Sequence, residues 1–507
     1  MTGQGRLLTT VLLLLICGIG LRTRQAEAQS SQPGQAPSSA SGEESSQSAE
    51  SGSSAETEET NPGVLEMPAV AGPEELAPGP SRATASYIIP AFQWTGYADT
   101  NGQGGGRGSE LETFSRFMGR VSLRRVRRRS AMDFDYAGGA SVYNRRYKAN
   151  PTTLSAPVLM IHRLGVMQSL QRGRWALEMG DNLTFLPESP FGFAGFSGFE
   201  SVGARVGGAG FINTNPLLEP NQTISTGSSR RISNVAMTQV TYKAGRRSSI
   251  SATAAYGTLN FLGSGFINSN NWLFLGGYHF YLSRIDTLSI AYVHSFTRFD
   301  IRSRALPSAS GESLGRGVLL SYGRSLTGRL SLQLSGGPTF TEFAQPQGRI
   351  AKSTRLSTYD SLVYEFRTSG VNLSFVRNST GGSGVLFGAE SNVVRLGLDR
   401  QVSRSFSGNL EVGHAFNQSL GRTVQAGQSA GTTQSSRTGQ RSKFETWEAG
   451  VSLSRRLMEN TSLFVNYHLE IQSAIIPTCF VSNCGETLLR HVGGIGINWS
   501  ARPIKLD

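Results

Sequence analysis

The chain has 507 residues, a formal net charge of +13 and a charged fraction of 16%, whereas soluble globular domains contain about 25% charged residues. Glycine is abundant at 61 residues, hydrophobic residues make up 38%, and there are three cysteines. A single long apolar run excludes a helical membrane transporter, the lack of a Gly-X-Y period excludes collagen, and three cysteines exclude a disulfide-dense miniprotein.

The first 28 residues have the pattern of a secretory signal peptide. Arg6 is the basic residue, residues 11–21 form an apolar run, and Ala26-Glu27-Ala28 is an A-x-A cleavage pattern. About 11 apolar residues are too few to cross a bilayer as a helix. A lipid anchor on Cys17 is the alternative, but Ile16 stands where such signals normally have a small residue. We therefore predict Sec export and cleavage after residue 28.

Residues 29–85 form an acidic segment rich in Ser, Glu and Pro. The segment has nine glutamates and a single basic residue, Arg82, and it contains few aromatic residues. Such a composition buries too little apolar surface to offset the entropy of ordering, so we predict that the segment is disordered. The remaining residues 86–507 then hold 44 of the 48 basic and 25 of the 35 acidic residues, a net charge of +19.

From Ser86 onward, apolar residues recur at every second position. One run reads Trp272, Phe274, Gly276, Tyr278, with polar or small residues between them. These runs are roughly 11–15 residues long, whereas globular strands average about 5–6 residues and tilted membrane strands need about 9–11. The pattern predicts long transmembrane β-strands.

Two kinds of connection separate the alternating runs. Very short polar turns lie near residues 127–129, 171–173, 244–246, 283–285, 326–328, 368–370, 403–405 and 457–460. Longer segments rich in Gly, Ser, Asn and Thr lie near residues 99–112, 145–155, 187–230, 260–270, 300–313, 342–356, 379–387, 418–443 and 474–486. Short turns on one side and long loops on the other are typical of outer-membrane barrels.

Eight hairpins give sixteen strands, and further strands near 86–98 and 487–501 bring the total to 18. Both chain ends then lie on the short-turn side. Sixteen strands remain an alternative because 231–244 and 358–367 alternate poorly. A soluble β-sandwich repeat protein also fits the alternation, but not the strand length or the two loop classes. We predict an all-β, transmembrane, antiparallel up-and-down β-barrel over residues 86–507.

As a whole, residues 86–501 resemble a bacterial outer-membrane β-barrel of porin-like size. The last run, residues 492–499, is similar to the alternating, aromatic-ending signal read by the barrel-assembly machinery, although Ser500 to Asp507 extend beyond Trp499. The resemblance implies a Gram-negative outer-membrane location with both termini in the periplasm. It also implies contact with outer-membrane lipids and with the assembly machinery.

If the apolar set faces lipid, the polar set faces the lumen. Arg116, Arg120 and Arg124 then line one wall opposite Asp133 and Asp135. Further inward candidates are Glu178, Asn182, Arg377, Arg395, Asp399, Glu411, Glu448, His468, Glu470 and Arg490. These charges either form a charge-selective constriction or a cross-strand ladder that only stabilises the sheet.

Cys479 and Cys484 lie five residues apart in the last long segment. In an exported chain they are candidates for a disulfide, with two free thiols as the alternative. Two cysteines without a nearby histidine do not predict a metal site. The aromatic, glycine-rich stretch 191–199 either folds into the barrel mouth or lies at its rim.

The sequence carries no pattern for catalysis or for nucleic-acid binding. The six histidines fall on separate strands, and there is no HExxH or GxSxG motif, so we predict no enzyme activity, metal or cofactor. An outer-membrane lipase assembled from distant strands is the alternative. The basic run 124–129 lies at a tight turn and lacks the interleaved aromatic residues that stack on bases.

These features predict a channel for passive or semi-selective passage of small solutes, anionic solutes among them. An 18-strand barrel is too wide for its own side chains to fill, which favours an aqueous pore. A non-conducting structural barrel whose loops 187–230 and 418–443 bind partners is one alternative. Export of an anionic polysaccharide through a basic lumen is another.

Overall fold

The structure is a computed structural model, and the described part of the chain has several gaps. The predicted signal peptide, the acidic segment 29–85, the Cys479–Cys484 disulfide and the stretch 191–199 all lie outside the described residues. The described residues are 86–100, 111–144, 158–186, 230–263, 266–301, 310–344, 350–366, 368–380, 386, 388–420, 442–475 and 487–506.

Eighteen long strands and one very short strand form a single antiparallel sheet. Their bounds are β1 Tyr87–Asp99, β2 Glu112–Arg127, β3 Ser130–Tyr143, β4 Val158–Arg172, β5 Trp175–Leu186, β6 Arg231–Lys243, β7 Ser248–Phe261, β8 Ile267–Tyr281, β9 Asp286–Ile301, β10 Ser310–Thr327, β11 Leu330–Ala344, β12 Ile350–Glu365, β13 Ser369–Thr380, β14 Ala389–Gln401, β15 Phe406–Ser419, β16 Lys443–Arg456, β17 Thr461–Ile475, β18 Leu488–Ser500 and β19 Ile504–Lys505.

Each long strand pairs with the next one along the chain, and β18 pairs with β1 to close the ring. The closing pairs run from Ala91↔Ser500 to Asp99↔Val492. Closure removes the free strand edges that an open sheet would expose to lipid. The predicted 18-strand up-and-down barrel is therefore confirmed, and the weakly alternating segments are the full strands β6 and β12.

The residues beyond Trp499 continue the sheet for a short distance. Ile504 and Lys505 pair with Ile88 and Tyr87 at the start of β1. The Ala501 amide donates to the Pro90 carbonyl at 2.9 Å. The C-terminal extension is thus part of the closing seam.

All eight predicted short turns join consecutive strands. The tightest connections leave two residues between strand ends, as between β4 and β5, where Gly173 has φ 60°. Glycine adopts this left-handed conformation without the steric cost that a Cβ would bring. Within the described ranges, no α-helix has the length and apolar content that crossing a membrane as a helix requires.

The two faces of the sheet are the reverse of those in a soluble sandwich. On β1, Phe92 and Trp94 are exposed on the outer face, while Gln93 and Thr95 are buried on the inner face. The outer face also carries ring pairs such as Trp175–Tyr242, with centroids 4.6 Å apart. Apolar side chains outside and polar side chains inside are what lipid contact requires, so the soluble β-sandwich interpretation is wrong.

Candidate functional site

The inner faces of β2 and β3 carry a ladder of opposite charges. Arg120 Nε lies 2.8 Å and Nη2 lies 2.7 Å from Asp135 Oδ2, which also accepts a hydrogen bond from Ser122 Oγ at 2.5 Å. One step toward the turn, Arg124 Nη1 lies 3.5 Å from Asp133 Oδ1. The structure therefore places four of the predicted inner charges together as cross-strand pairs.

Arg116 stands above this ladder, nearer the long loops. Its Nε donates to Ser141 Oγ at 2.9 Å. Its guanidinium carbon lies 5.3 Å from the Tyr97 ring centroid and 5.5 Å from that of Phe114, within the range of a cation–π interaction. The two rings stack on each other, so the guanidinium is held against an aromatic wall.

Arg490 joins the first and last strands at the barrel seam. Its Nε lies 3.1 Å from both carboxylate oxygens of Asp99, and its Nη2 lies 2.5 Å from Asp99 Oδ2. Both side chains are almost completely buried, and Glu470 pairs in register with Arg490 from β17. Asp99 was absent from the sequence candidates. Alternation along β1 could have identified Asp99, because it has the same inward register as Gln93 and Thr95.

The remaining sequence candidates divide between the two faces. Arg395 is on the inner face of β14, diagonally opposite Glu411 on β15. The other candidates whose register is inward are Glu178, Asn182, Asp399, Glu448, His468 and Glu470.

Arg377 was predicted to face the lumen, and that prediction is wrong. Its register partners Thr358 and Asn392 place it on the outer face, at the long-loop end of β13. There its Nη2 donates to Glu390 Oε1 at 2.9 Å. Near the membrane rim an arginine can face outward because a carboxylate partner is in reach.

The charges are unevenly distributed around the inner wall. We define the charged arc as the inner faces of β14 to β18 and β1 to β5, each of which carries at least one Asp, Glu or Arg. We define the neutral arc as the inner faces of β7 to β11. Along the described length of those five strands, no Asp, Glu, Lys or Arg has the inward register.

The neutral arc is rich in hydroxyl groups. Ser321 Oγ donates to Ser335 Oγ at 2.8 Å, and Ser251 Oγ lies 2.8 Å from His279 Nε2. The central strand of this arc, β9, is nine strands from β18 in the ring of 18. The lumen thus has two different sides: a hydroxyl-rich wall opposite a wall of ion pairs.

Strands that are not neighbours in the sheet come into contact at the long-loop end of the barrel. Leu420, after β15, packs with Phe299 of β9, Phe343 of β11 and Ile267 of β8. Gly388, before β14, has φ +64°, and a Cβ there would lie 2.9 Å from Leu420 Cδ1 and 3.1 Å from Phe299 Cζ. Strands β9 and β14 are five steps apart, about 24 Å along the sheet at about 4.8 Å per strand. Contact across that span narrows the mouth.

The histidines do not form a catalytic or metal-binding cluster in the described part of the chain. His162, His294, His414 and His491 face outward beside aromatic rings, as with the Tyr136 hydroxyl 3.0 Å from His162 Nδ1. Among the described residues, no three His, Cys, Asp or Glu side chains are grouped as metal ligands would be.

A closed antiparallel ring of 18 strands, apolar outside and polar inside, defines a bacterial outer-membrane β-barrel of porin-like size. The sequence matches no family model and no curated protein.

Several solved barrels are similar in overall architecture. The outer-membrane protein OpdK from Pseudomonas aeruginosa is 11% identical, with 82% of this chain and 98% of that chain covered and a TM-score of 0.39. OccK2 (OpdF) from the same organism, solved in complex with glucuronate, is 11% identical, with 83% and 98% covered and a TM-score of 0.39. A BenF-like porin from Pseudomonas fluorescens Pf-5 is 7% identical, with 83% and 99% covered and a TM-score of 0.40.

Proposed function

We propose that the protein is a passive outer-membrane channel for small, polar solutes that carry an anionic group. The observation that carries this proposal is the two-sided inner wall, in which the charged arc faces the neutral arc. A barrel of about 16–18 strands is wide enough to hold an aqueous channel. We place the chain ends and short turns in the periplasm, and the long loops outside the cell.

The two walls suit different parts of such a solute. Hydroxyl groups on the neutral arc, such as Ser321 and Ser335, can exchange hydrogen bonds with solute hydroxyls as it passes. On the inner faces of β2 and β3, three guanidiniums (Arg116, Arg120, Arg124) lie among three carboxylates (Glu112, Asp133, Asp135), and Arg116 is held against two aromatic rings. A guanidinium on a pore wall can form charge-assisted hydrogen bonds with the anionic group of a passing solute.

The narrowed mouth favours a second candidate, a non-conducting structural barrel. If the contact between Leu420 and Phe299 closes the path for ions, the barrel will carry no current. Planar-bilayer conductance of the refolded full chain distinguishes the two functions. We expect discrete conductance steps and, in a KCl gradient, a reversal potential that indicates anion preference. Absence of conductance in a correctly folded barrel supports the structural role, and cation preference contradicts the anionic substrate class.

A substitution at Arg116 tests whether positive charge on the inner wall sets the anion preference. Replacing it with Gln removes a positive charge but keeps a hydrogen-bond donor for Ser141, so we expect the reversal potential to shift toward cations with little change in conductance. The control is Arg116→Lys, which keeps the charge and should keep the wild-type reversal potential. Equal shifts in both variants would mean that side-chain shape, rather than charge, sets the selectivity.

A further inference from the structure

A group of polar side chains lies on the outer face of the barrel, within the belt that contacts lipid. Asp181 of β5 has the outward register, paired with Val166 of β4 and Ala236 of β6, and its side chain is exposed. Asn234 Nδ2 donates to Asp181 Oδ1 at 2.7 Å. Gln168 and Thr238 face outward on the flanking strands.

The depth of Asp181 places it near the centre of the apolar belt. It is six residues from Trp175, which pairs with Tyr242 at the short-turn end. At about 3.3 Å per residue and a tilt of about 40°, six residues rise about 15 Å, and the belt is about 25 Å tall. Hydrocarbon offers a carboxylate no hydrogen-bond donor, so an exposed Asp at this depth requires a polar partner.

A groove of about 330 Å³ adjoins Asp181 on the same face. Its floor is formed by small residues, Ala236, Thr238 and Ala254, and larger side chains, Met179 and Trp272, stand on its two sides. Small residues let another polypeptide approach closely within a membrane. The groove therefore places space for a partner directly beside the polar group.

We propose that the outer face of β4 to β7, centred on Asp181, is the interface through which two copies of this chain associate in the membrane. The patch contains an acceptor, the Asp181 carboxylate, and donors on Gln168, Asn234 and Thr238. In a two-fold interface the same surface is used by both copies. A patch that contains both donors and an acceptor can therefore pair with itself, the donors of one copy meeting the acceptor of the other. A lipid acyl chain would fill the groove but leave the carboxylate without new donors.

Site-directed cross-linking in native outer membranes tests the proposal. Thr238 is exposed in the groove, so Thr238→Cys in a chain with Cys479 and Cys484 changed to Ser should form a disulfide-linked dimer on mild oxidation. The matched control is Val394→Cys, which is also exposed on the outer face but on β14. We expect a product of twice the chain mass from the first variant and none from the second.

The role of the carboxylate is tested in the same Thr238→Cys chain. Adding Asp181→Leu should reduce the cross-linked fraction at least several-fold, while Asp181→Asn, which keeps a carbonyl acceptor, should retain most of it. Heat-modifiable gel migration verifies that each barrel is folded.

Three outcomes would overturn the proposal. The first is no dimer from Thr238→Cys in the chain with Cys479 and Cys484 changed to Ser, which would indicate that lipid covers the face. The second is a cross-linked product of another mass, which would indicate a different protein partner. The third is a dimer that Asp181→Leu leaves intact. The cross-linking experiment does not measure conductance. Its result can therefore contradict the proposed dimer without contradicting the proposed channel, and the reverse also holds.

Discussion

At the scale of single residues, the ion pair between Arg490 and Asp99 links the two strands, β18 and β1, whose pairing closes the barrel. The two side chains are 0% and 2% exposed, and their atoms are joined in a bidentate arrangement. A buried ion pair adds little to the free energy of unfolding compared with an apolar pair of similar size. Loss of one partner is costly, however, because it leaves a buried charge without its counter-ion. The closing strands are therefore sensitive to a change in either residue.

We predict that Arg490→Leu lowers the free energy of unfolding by about 3–5 kcal/mol. The physical reason is that the Asp99 carboxylate stays buried after its bidentate partner is lost. Urea titration of the barrel in lipid vesicles, followed by tryptophan fluorescence, measures the change.

The double variant Arg490→Leu/Asp99→Leu is the control for this prediction. It removes both charges and should recover most of the lost stability. A double variant as unstable as the single one would show that the arginine acts through packing or through Glu470 rather than through its ion pair with Asp99.

The sequence predicted short-range pairs better than long-range ones. Arg120 and Asp135 are on strands joined by a tight turn, so alternation alone places them as diagonal neighbours on the same face. Asp99 and Arg490 are 391 residues apart in sequence, and only the register of the closing strands brings them together. The error at Arg377 arose because polarity was taken as the guide to the inner face, whereas its odd-numbered register matches Phe375 on the outside.

At the scale of strands, alternation and turn residues were enough to place all 18 long elements. The segment of β6 alternated poorly for a physical reason that the structure reveals. Its inward residues Val235 and Met237 join an apolar patch on the inner wall, while Asn234 and Thr238 face outward. This part of β6 thus has apolar residues facing the lumen and polar residues facing lipid, the reverse of most strands. The polar residues lie beside Asp181, at the face proposed for dimerisation.

The contact between the ends of β14–β15 and β9 depends on long-range packing that no local pattern encodes. Leu420 lies immediately after β15 and belongs to the apolar cluster that narrows the mouth. If the barrel conducts, Leu420→Ala should raise single-channel conductance severalfold, because truncation withdraws a side chain from the apolar cluster at the mouth. Single-channel recording at fixed voltage measures it.

The matched control is Val402→Ala, an equally modest truncation of an exposed side chain at the opposite, short-turn end of the same hairpin. This variant should have wild-type conductance. If Leu420→Ala also leaves conductance unchanged, the limiting constriction lies elsewhere along the lumen.

At the scale of the whole molecule, closure of the sheet and the distribution of charge are linked. The first and last long strands, β1 and β18, form the seam, and ion pairs on β1, β2, β3 and β18 lie at or beside it. The neutral arc lies on the far side of the ring, where consecutive hairpins are joined without a seam. Of these ion pairs, Arg490–Asp99 crosses the seam itself, whereas Arg120–Asp135 and Arg124–Asp133 join strands that a tight turn already connects.

This asymmetry predicts how the channel responds to a new charge on the neutral arc. Ser295 faces inward on β9, at the middle of that arc, and pairs with Gly315, which leaves room beside it. Ser295→Lys should shift the reversal potential toward anions by about as much as Arg116→Gln shifts it toward cations, because fixed charge anywhere along an ion path changes its selectivity. Gly328→Lys adds the same charge at a turn where nothing lies within 4 Å, and should cause no shift. If Ser295→Lys has no effect although Arg116→Gln does, ions follow only the charged arc and the hydroxyl-rich wall takes no part in conduction.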